Sequence, residues 1–127
     1  MLKEPKIYFF DNGLVKGEAG AQFENLIAIS LLKSIYAKND YLAEPYELRY
    51  LRTKDGLEVD FALCKDEKIE TIIEAKVSDS TASKTLEYFA QKYNIKGTQV
   101  VYNLDTERTS AKGIEIRKAK KYLENLE

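Results

Sequence analysis

The sequence predicts a mixed α/β (α+β) domain, with a mixed central sheet flanked by helices in the order α-β-β-β-α-β. Three observations lead there. Residues 21–38 repeat apolar side chains at helical spacing. Residues 47–77 break into three alternating runs divided by short polar turns, the pattern of an antiparallel meander. Residues 86–104 give a second helical pattern and then a compact apolar run, so a strand–helix–strand unit adds a parallel strand. A chain of 127 residues fits one domain, 1–127, with room for a core.

The elements follow in order. Residues 7–10 predict a short strand, and Asp11-Asn12-Gly13 its turn. Gly17 and Gly20 frame a flexible lead into the first helix. There Phe23, Ile27, Ala28, Leu31, Leu32 and Ile35 form one broad arc, and Asn39-Asp40 ends it. Residues 47–52 predict a strand, Thr53-Lys54-Asp55-Gly56 a tight turn, and residues 57–64 the next strand. Lys65-Asp66-Glu67-Lys68 is a polar run that turns the chain into a strand over 69–77. Residues 78–83 cap a second helix, where Leu86, Phe89, Ala90 and Tyr93 keep helical spacing. Val100 and Val101 centre an interior strand over 98–104. A last short strand covers 113–116, and Ala119, Tyr122, Leu123 and Leu126 make a C-terminal amphipathic helix.

The chemistry concentrates on the hairpin. Asp60 and Glu74 are equidistant from Glu67, so a fold-back centred there sets the two carboxylates opposite each other. Directly opposed strand residues have Cβ atoms about 4.5–5.5 Å apart. Carboxylates that close repel unless a cation or a proton intervenes. Strand alternation puts Lys76 on the face of Glu74. It also points Leu57, Val59, Phe61 and Leu63 to a core, and Glu58, Asp60 and Ala62 away from it. The plainer alternative is a hairpin with a solvated outer face and ordinary cross-strand ion pairs. Glu24 adds weight to the site because it falls inside the apolar arc of the first helix, where a lone carboxylate needs a partner. Its plainer alternative is a first-turn position favoured by the helix dipole.

Composition narrows the chemistry. With no histidine there is no Ser-His-Asp triad, no Cys-His pair and no histidine-ligated zinc. Carboxylate and water ligands suit Mg²⁺ or Mn²⁺. The single Cys64 makes no internal disulfide, and a reducing, cytoplasmic setting is expected. No apolar run is long enough to cross a bilayer, so no membrane partner is expected. A net charge of −1 argues against nucleic-acid binding by the whole surface. Local clusters remain: Arg49, Arg52 and Lys54 before the hairpin, and Lys112, Arg117, Lys118, Lys120 and Lys121 near the end, the second set reading as a solvated helix face.

A helix Glu, a strand Asp, a turn and a strand Glu-x-Lys resemble, in that order, the PD-(D/E)XK nuclease superfamily. More closely, the chain resembles the nuclease-fold domain of unknown function at the C-terminus of a large group of bacterial and archaeal AAA+ ATPases. The matching stretches are Ile7-Tyr8-Phe9-Phe10-Asp11-Asn12-Gly13-Leu14, Gln22-Phe23-Glu24-Asn25-Leu26, Tyr50 through Phe61 and Ile73-Glu74-Ala75-Lys76. The resemblance covers most of the chain from Ile7 to about Tyr93 and implies a restriction-endonuclease-like core. It implies residues 1–16 as the remnant of a linker to an ATPase domain. The chain has no Gly-x-x-x-x-Gly-Lys-Ser/Thr, hence no nucleotide site of that type.

The resemblance implies Mg²⁺-dependent (or Mn²⁺-dependent) phosphodiester hydrolysis. Asp60, Glu74 and Glu24 would be the metal ligands, with the Ala75 carbonyl as a further one. Lys76 would orient water and stabilise negative charge, and Arg52 and Lys84 would contact substrate phosphate. The expected partners are DNA, an ATPase or a second copy of the chain. Two alternatives stay open: a non-catalytic interaction module on the nuclease fold, and nucleic-acid binding without cleavage. Asp60→Ala is expected to abolish metal binding with little loss of stability, or even a gain, because like-charge repulsion is relieved.

Overall fold

The computed structural model describes residues 19–42, 46–52, 56–78 and 81–126. The expected strand at 7–10, its turn, the linker at 1–16 and Lys54 lie outside these residues. Among the described residues, three helices and six strands run in the order α1 (Ala19–Leu42), β1 (Tyr46–Arg52), β2 (Glu58–Lys65), β3 (Lys68–Lys76), α2 (Lys84–Tyr93), β4 (Lys96–Val101), β5 (Arg108–Thr109), β6 (Glu115–Lys118) and α3 (Ala119–Glu124). The predicted α-β-β-β-α-β order is present, in a mixed α+β fold. β5 was not predicted, since a two-residue strand carries no periodicity.

Among the described residues the sheet order is β1-β2-β3-β4-β6-β5. β1, β2 and β3 form the antiparallel meander. β4 is parallel to β3 and to β6, and so interior as expected. β5 closes the edge antiparallel to β6. Glu107 staples this edge, accepting from Arg117 Nε at 2.9 Å and from the Lys118 amide at 3.0 Å. Arg117 and Lys121 of the C-terminal basic cluster are therefore engaged with Glu107.

Helices cover both faces of the sheet, which gives two cores. On one face Phe23, Ile27, Leu31 and Ile35 of α1 pack with Leu48, Phe61, Ile73 and Val100, and Ala119 of α3 joins them. On the other, Leu86, Phe89 and Ala90 of α2 pack with Val59, Ala62, Ile72 and Val101. This corrects the expectation of one core face and one charged face. Ile72, which strand alternation puts on the same side as Glu74 and Lys76, is fully buried beneath α2. The hairpin has no solvated outer face, because the strand–helix–strand crossover lays α2 across it.

Two irregularities decide where the hairpin side chains point. The turn is a two-residue one, Asp66-Glu67, with φ of 52° and 65°, the left-handed pair that suits the strand twist. It pairs Lys65 with Lys68 and Cys64 with Ile69. Carried on unbroken, that register would set Asp60 level with Ile73. Instead β3 carries one extra residue, Glu70, and the pairing resumes as Leu63–Thr71, Ala62–Ile72 and Phe61–Ile73. One further step brings Asp60 level with Glu74. A one-residue slip reverses every side chain, so this bulge determines which face Glu74 occupies.

The second irregularity lies between β1 and β2. Arg49 pairs with Ala62 but Leu51 pairs with Val59, so two β2 residues, Asp60 and Phe61, oppose Tyr50. Strict alternation stops there. Val59 joins Ala62 in the α2-side core and not Phe61, and Leu57 is exposed. The expected grouping of Leu57, Val59, Phe61 and Leu63 on one face is corrected accordingly.

Candidate functional site

The site is built at the C-terminal ends of the parallel pair β3 and β4. Beyond β4 the pairing continues, with the Tyr102 amide donating to the Lys76 carbonyl and the Asn103 amide to the Val77 carbonyl. The start of α1 reaches this end, where the Phe23 ring lies 5.6 Å from that of Tyr102. Crevices outside the carboxyl ends of parallel strands are favoured ligand sites, because the connections splay apart there.

Glu74 is the centre. Its side chain is buried, at 5% exposure for the residue, and its Oε2 has no hydrogen-bond partner. Lys76 Nζ stands 3.8 Å from that oxygen, an ion pair too long for a hydrogen bond. Burial, and next the Asp60 charge, push the Glu74 carboxyl above its ordinary range. Hydrogen bonding from Ser83 and the Lys76 charge pull it back, and Glu24 adds a smaller push upward. The carboxylate thus sits where desolvation and a like charge both disfavour ionisation.

Asp60 is half-buried. Its Oδ2 accepts the Ala75 amide at 3.0 Å. That bond lies just past the last paired rung, Phe61–Ile73, so the side chain takes up a β3 amide where the ladder ends. Asp60 is therefore a structural acceptor as well as a neighbouring charge, and this opposes the stability gain expected from its removal.

The remaining candidates divide. Glu24 is half-buried on α1 and acts on Glu74 as a nearby negative charge. Among the described residues no group of three or more Cys, Asp and Glu side chains is set to hold a metal ion. Arg52 is exposed at the end of β1 and lies 3.6 Å from Glu58. Arg49 is held by Glu47 at 2.6 Å. Lys84 is exposed at the first residue of α2, next to Ser83. Cys64 is buried, and burial pushes its thiol up to about 11, so it is an inert core thiol.

Two residues close to Glu74 escaped the sequence reading of the site. Gln99 pairs with Glu74 in the parallel register and is fully buried. Ser83, foreseen within a capping segment, caps α2 and also faces Glu74. The available signal was a primary amide set inside the apolar run Gly97-Thr98-Gln99-Val100-Val101.

No helix among the described residues is long and apolar enough to cross a membrane. Residues 19–122 match the family model described as Domain of unknown function (DUF4143). Comparison with curated proteins and with solved structures gave no match. The family match spans well over half of the chain, and the chain belongs to that family.

Proposed function

We propose that this DUF4143 domain is a metal-dependent nuclease-like domain of the PD-(D/E)XK kind, hydrolysing phosphodiesters of DNA in association with an AAA+ ATPase. The observation that carries this reading is the Glu74 carboxylate: buried, with Oε2 lacking a donor, beside a second carboxylate and an ammonium. A buried carboxylate oxygen without a donor is costly. A divalent cation held by Glu74 and Asp60 offsets both that cost and the repulsion between the pair.

The donor set fits the ion. It is all hard oxygen, and Mg²⁺ is commonly held by one or two carboxylates, with water and substrate phosphate completing the shell. Bound there, the ion would acidify a water molecule and offset charge on the phosphoryl group. The protein's own residues do the rest. Glu74 presents Oε2, and Asp60 is oriented by the Ala75 amide. Lys76 supplies a cation beside the attacked phosphate and orients the water. Glu24 adds its negative charge from α1, and Arg52 and Lys84 receive backbone phosphates, which positions the substrate without reading its sequence.

A second reading, the non-catalytic interaction module, is favoured by one feature. Asp60 to the Ala75 amide and Glu74 to Lys76 also work as plain closures of the strand ends. Calorimetric titration of Mn²⁺ and Mg²⁺ into wild type and Glu74→Gln, with and without duplex DNA, separates the two. Binding to wild type that is lost in a folded Glu74→Gln supports the metal centre. No binding by wild type, even with DNA present, refutes it in favour of the interaction module.

A further inference from the structure

Gln99 is the fully buried polar side chain of β4, and it stands level with Glu74 on the adjacent parallel strand. Side chains in register on adjacent strands share a face, and here that face lies beneath α2. Both halves of the amide are used. Oε1 accepts the Ser83 amide at 2.9 Å, and Nε2 donates to the Thr81 carbonyl at 2.9 Å. A primary amide supplies both functions from one side chain, an acceptor oxygen and a donor nitrogen on separate atoms. The following strand residues, Val100 and Val101, are apolar and fully buried, so packing alone does not call for glutamine here.

The two bonds grip the connection between β3 and α2 on either side of Ala82. Ser83 is thereby held at the start of α2, where its Oγ accepts the Leu86 amide at 3.2 Å. The hydroxyl keeps its proton to donate, and Glu74 is the carboxylate on which hydrogen bonding from the Ser83 side chain acts. We propose that Gln99 is a positioning residue: it holds residues 81–83 so that the Ser83 hydroxyl steadies the Glu74 carboxylate and leaves Oε2 as the ligand oxygen. The consequence for ion affinity rests on the metal reading above, whereas the hold on Ser83 does not.

The test uses the full chain as wild type, Gln99→Met, Gln99→Glu, Ser83→Ala and the Gln99→Met/Ser83→Ala double variant. Amide hydrogen exchange and Mn²⁺ calorimetry are the two readouts. Gln99→Met should speed exchange at Ser83 and Leu86 roughly tenfold relative to Val101. Gln99→Glu keeps the acceptor for the Ser83 amide and should restore its protection. Supporting shells of this kind are worth about 10–100-fold in metal affinity. Gln99→Met and Ser83→Ala should therefore each weaken Mn²⁺ about tenfold, and the double variant no further, because both act through one hydroxyl.

Unchanged Ser83 exchange in Gln99→Met, or losses of affinity that multiply in the double variant, would overturn the proposal. If Gln99→Met does not fold, Gln99→Glu decides: a Ser83 amide that loses protection there, while Val101 keeps it, refutes the grip. If wild type binds no Mn²⁺, the metal reading fails separately, and the exchange data still decide whether Gln99 holds Ser83.

Discussion

Asp60 combines two effects of opposite sign, and two substitutions pull them apart. Asp60→Asn removes the charge that raises the Glu74 carboxyl but keeps an oxygen for the Ala75 amide. Asp60→Ala removes both. The difference between the variants is the hydrogen bond, 3.0 Å long and made to a main-chain amide at the end of the β2–β3 ladder. Hydrogen bonds to charged acceptors contribute about 1.5–3 kcal/mol, and neutral ones about 0.5–1.5 kcal/mol. Asn supplies a neutral acceptor, and half-buried Ala75 regains some water in the Ala variant. The expected gap is thus about 1 kcal/mol in favour of Asn. Against wild type, Asn loses part of the bond's strength but gains relief of repulsion at Glu74, so its stability should lie close to wild type. Urea unfolding at neutral pH, with equal m values, reads this directly. Equal stability of Asn and Ala would refute the reasoning, because the carboxylate would then not be holding the Ala75 amide. Both variants should lose Mn²⁺ binding if the metal reading holds.

The remaining predictions concern charge, turn and substrate. Glu74 has a raised carboxyl in the folded state, so between the unfolded value, about 4.3, and the folded one the native state binds more proton. Stability from this group is therefore full below the unfolded pKa and is lost as pH rises through the folded one. Urea melts from pH 4 upward should show that fall in wild type and a flatter profile in Glu74→Gln, and identical profiles would refute it. Glu67 holds a left-handed conformation that costs a side-chain residue roughly 1 kcal/mol. Glu67→Gly should accordingly stabilise the hairpin by a similar or smaller amount, and a lower melting temperature would show the turn is not limiting. Arg52→Ala should reduce the salt slope of DNA binding by about one unit. An unchanged slope removes Arg52 from the phosphate path.

Read alone, the sequence determined the α-β-β-β-α-β order, the location of α1, the meander and α2, and the approach of Asp60 to Glu74 across a turn within Lys65-Asp66-Glu67-Lys68. These are local matters, governed by periodicity and turn chemistry, which neighbouring residues carry. Asp60 comes level with Glu74, one step past the last paired rung, for a reason the periodicity does not contain. A two-residue turn alone gives the wrong register, and the extra residue Glu70 corrects it. A bulge is chosen by which register buries more apolar surface on both sides, so it depends on partners distant in sequence.

Only the tertiary structure decided the environment of Glu74. Alternation assigned it to an outer, charged face, yet α2 covers that face and buries Ile72 and Glu74 together. Asp60 became a main-chain acceptor because the β2 irregularity opposite Tyr50 ended regular alternation beside it. Gln99 and Ser83 joined the site because parallel pairing of β3 with β4 sets position 99 beside position 74. Sequence patterns record which side chains can be buried. Which carboxylate ends in low dielectric, and which amide stands next to it, follows from how the sheet and its crossover helix close over one another.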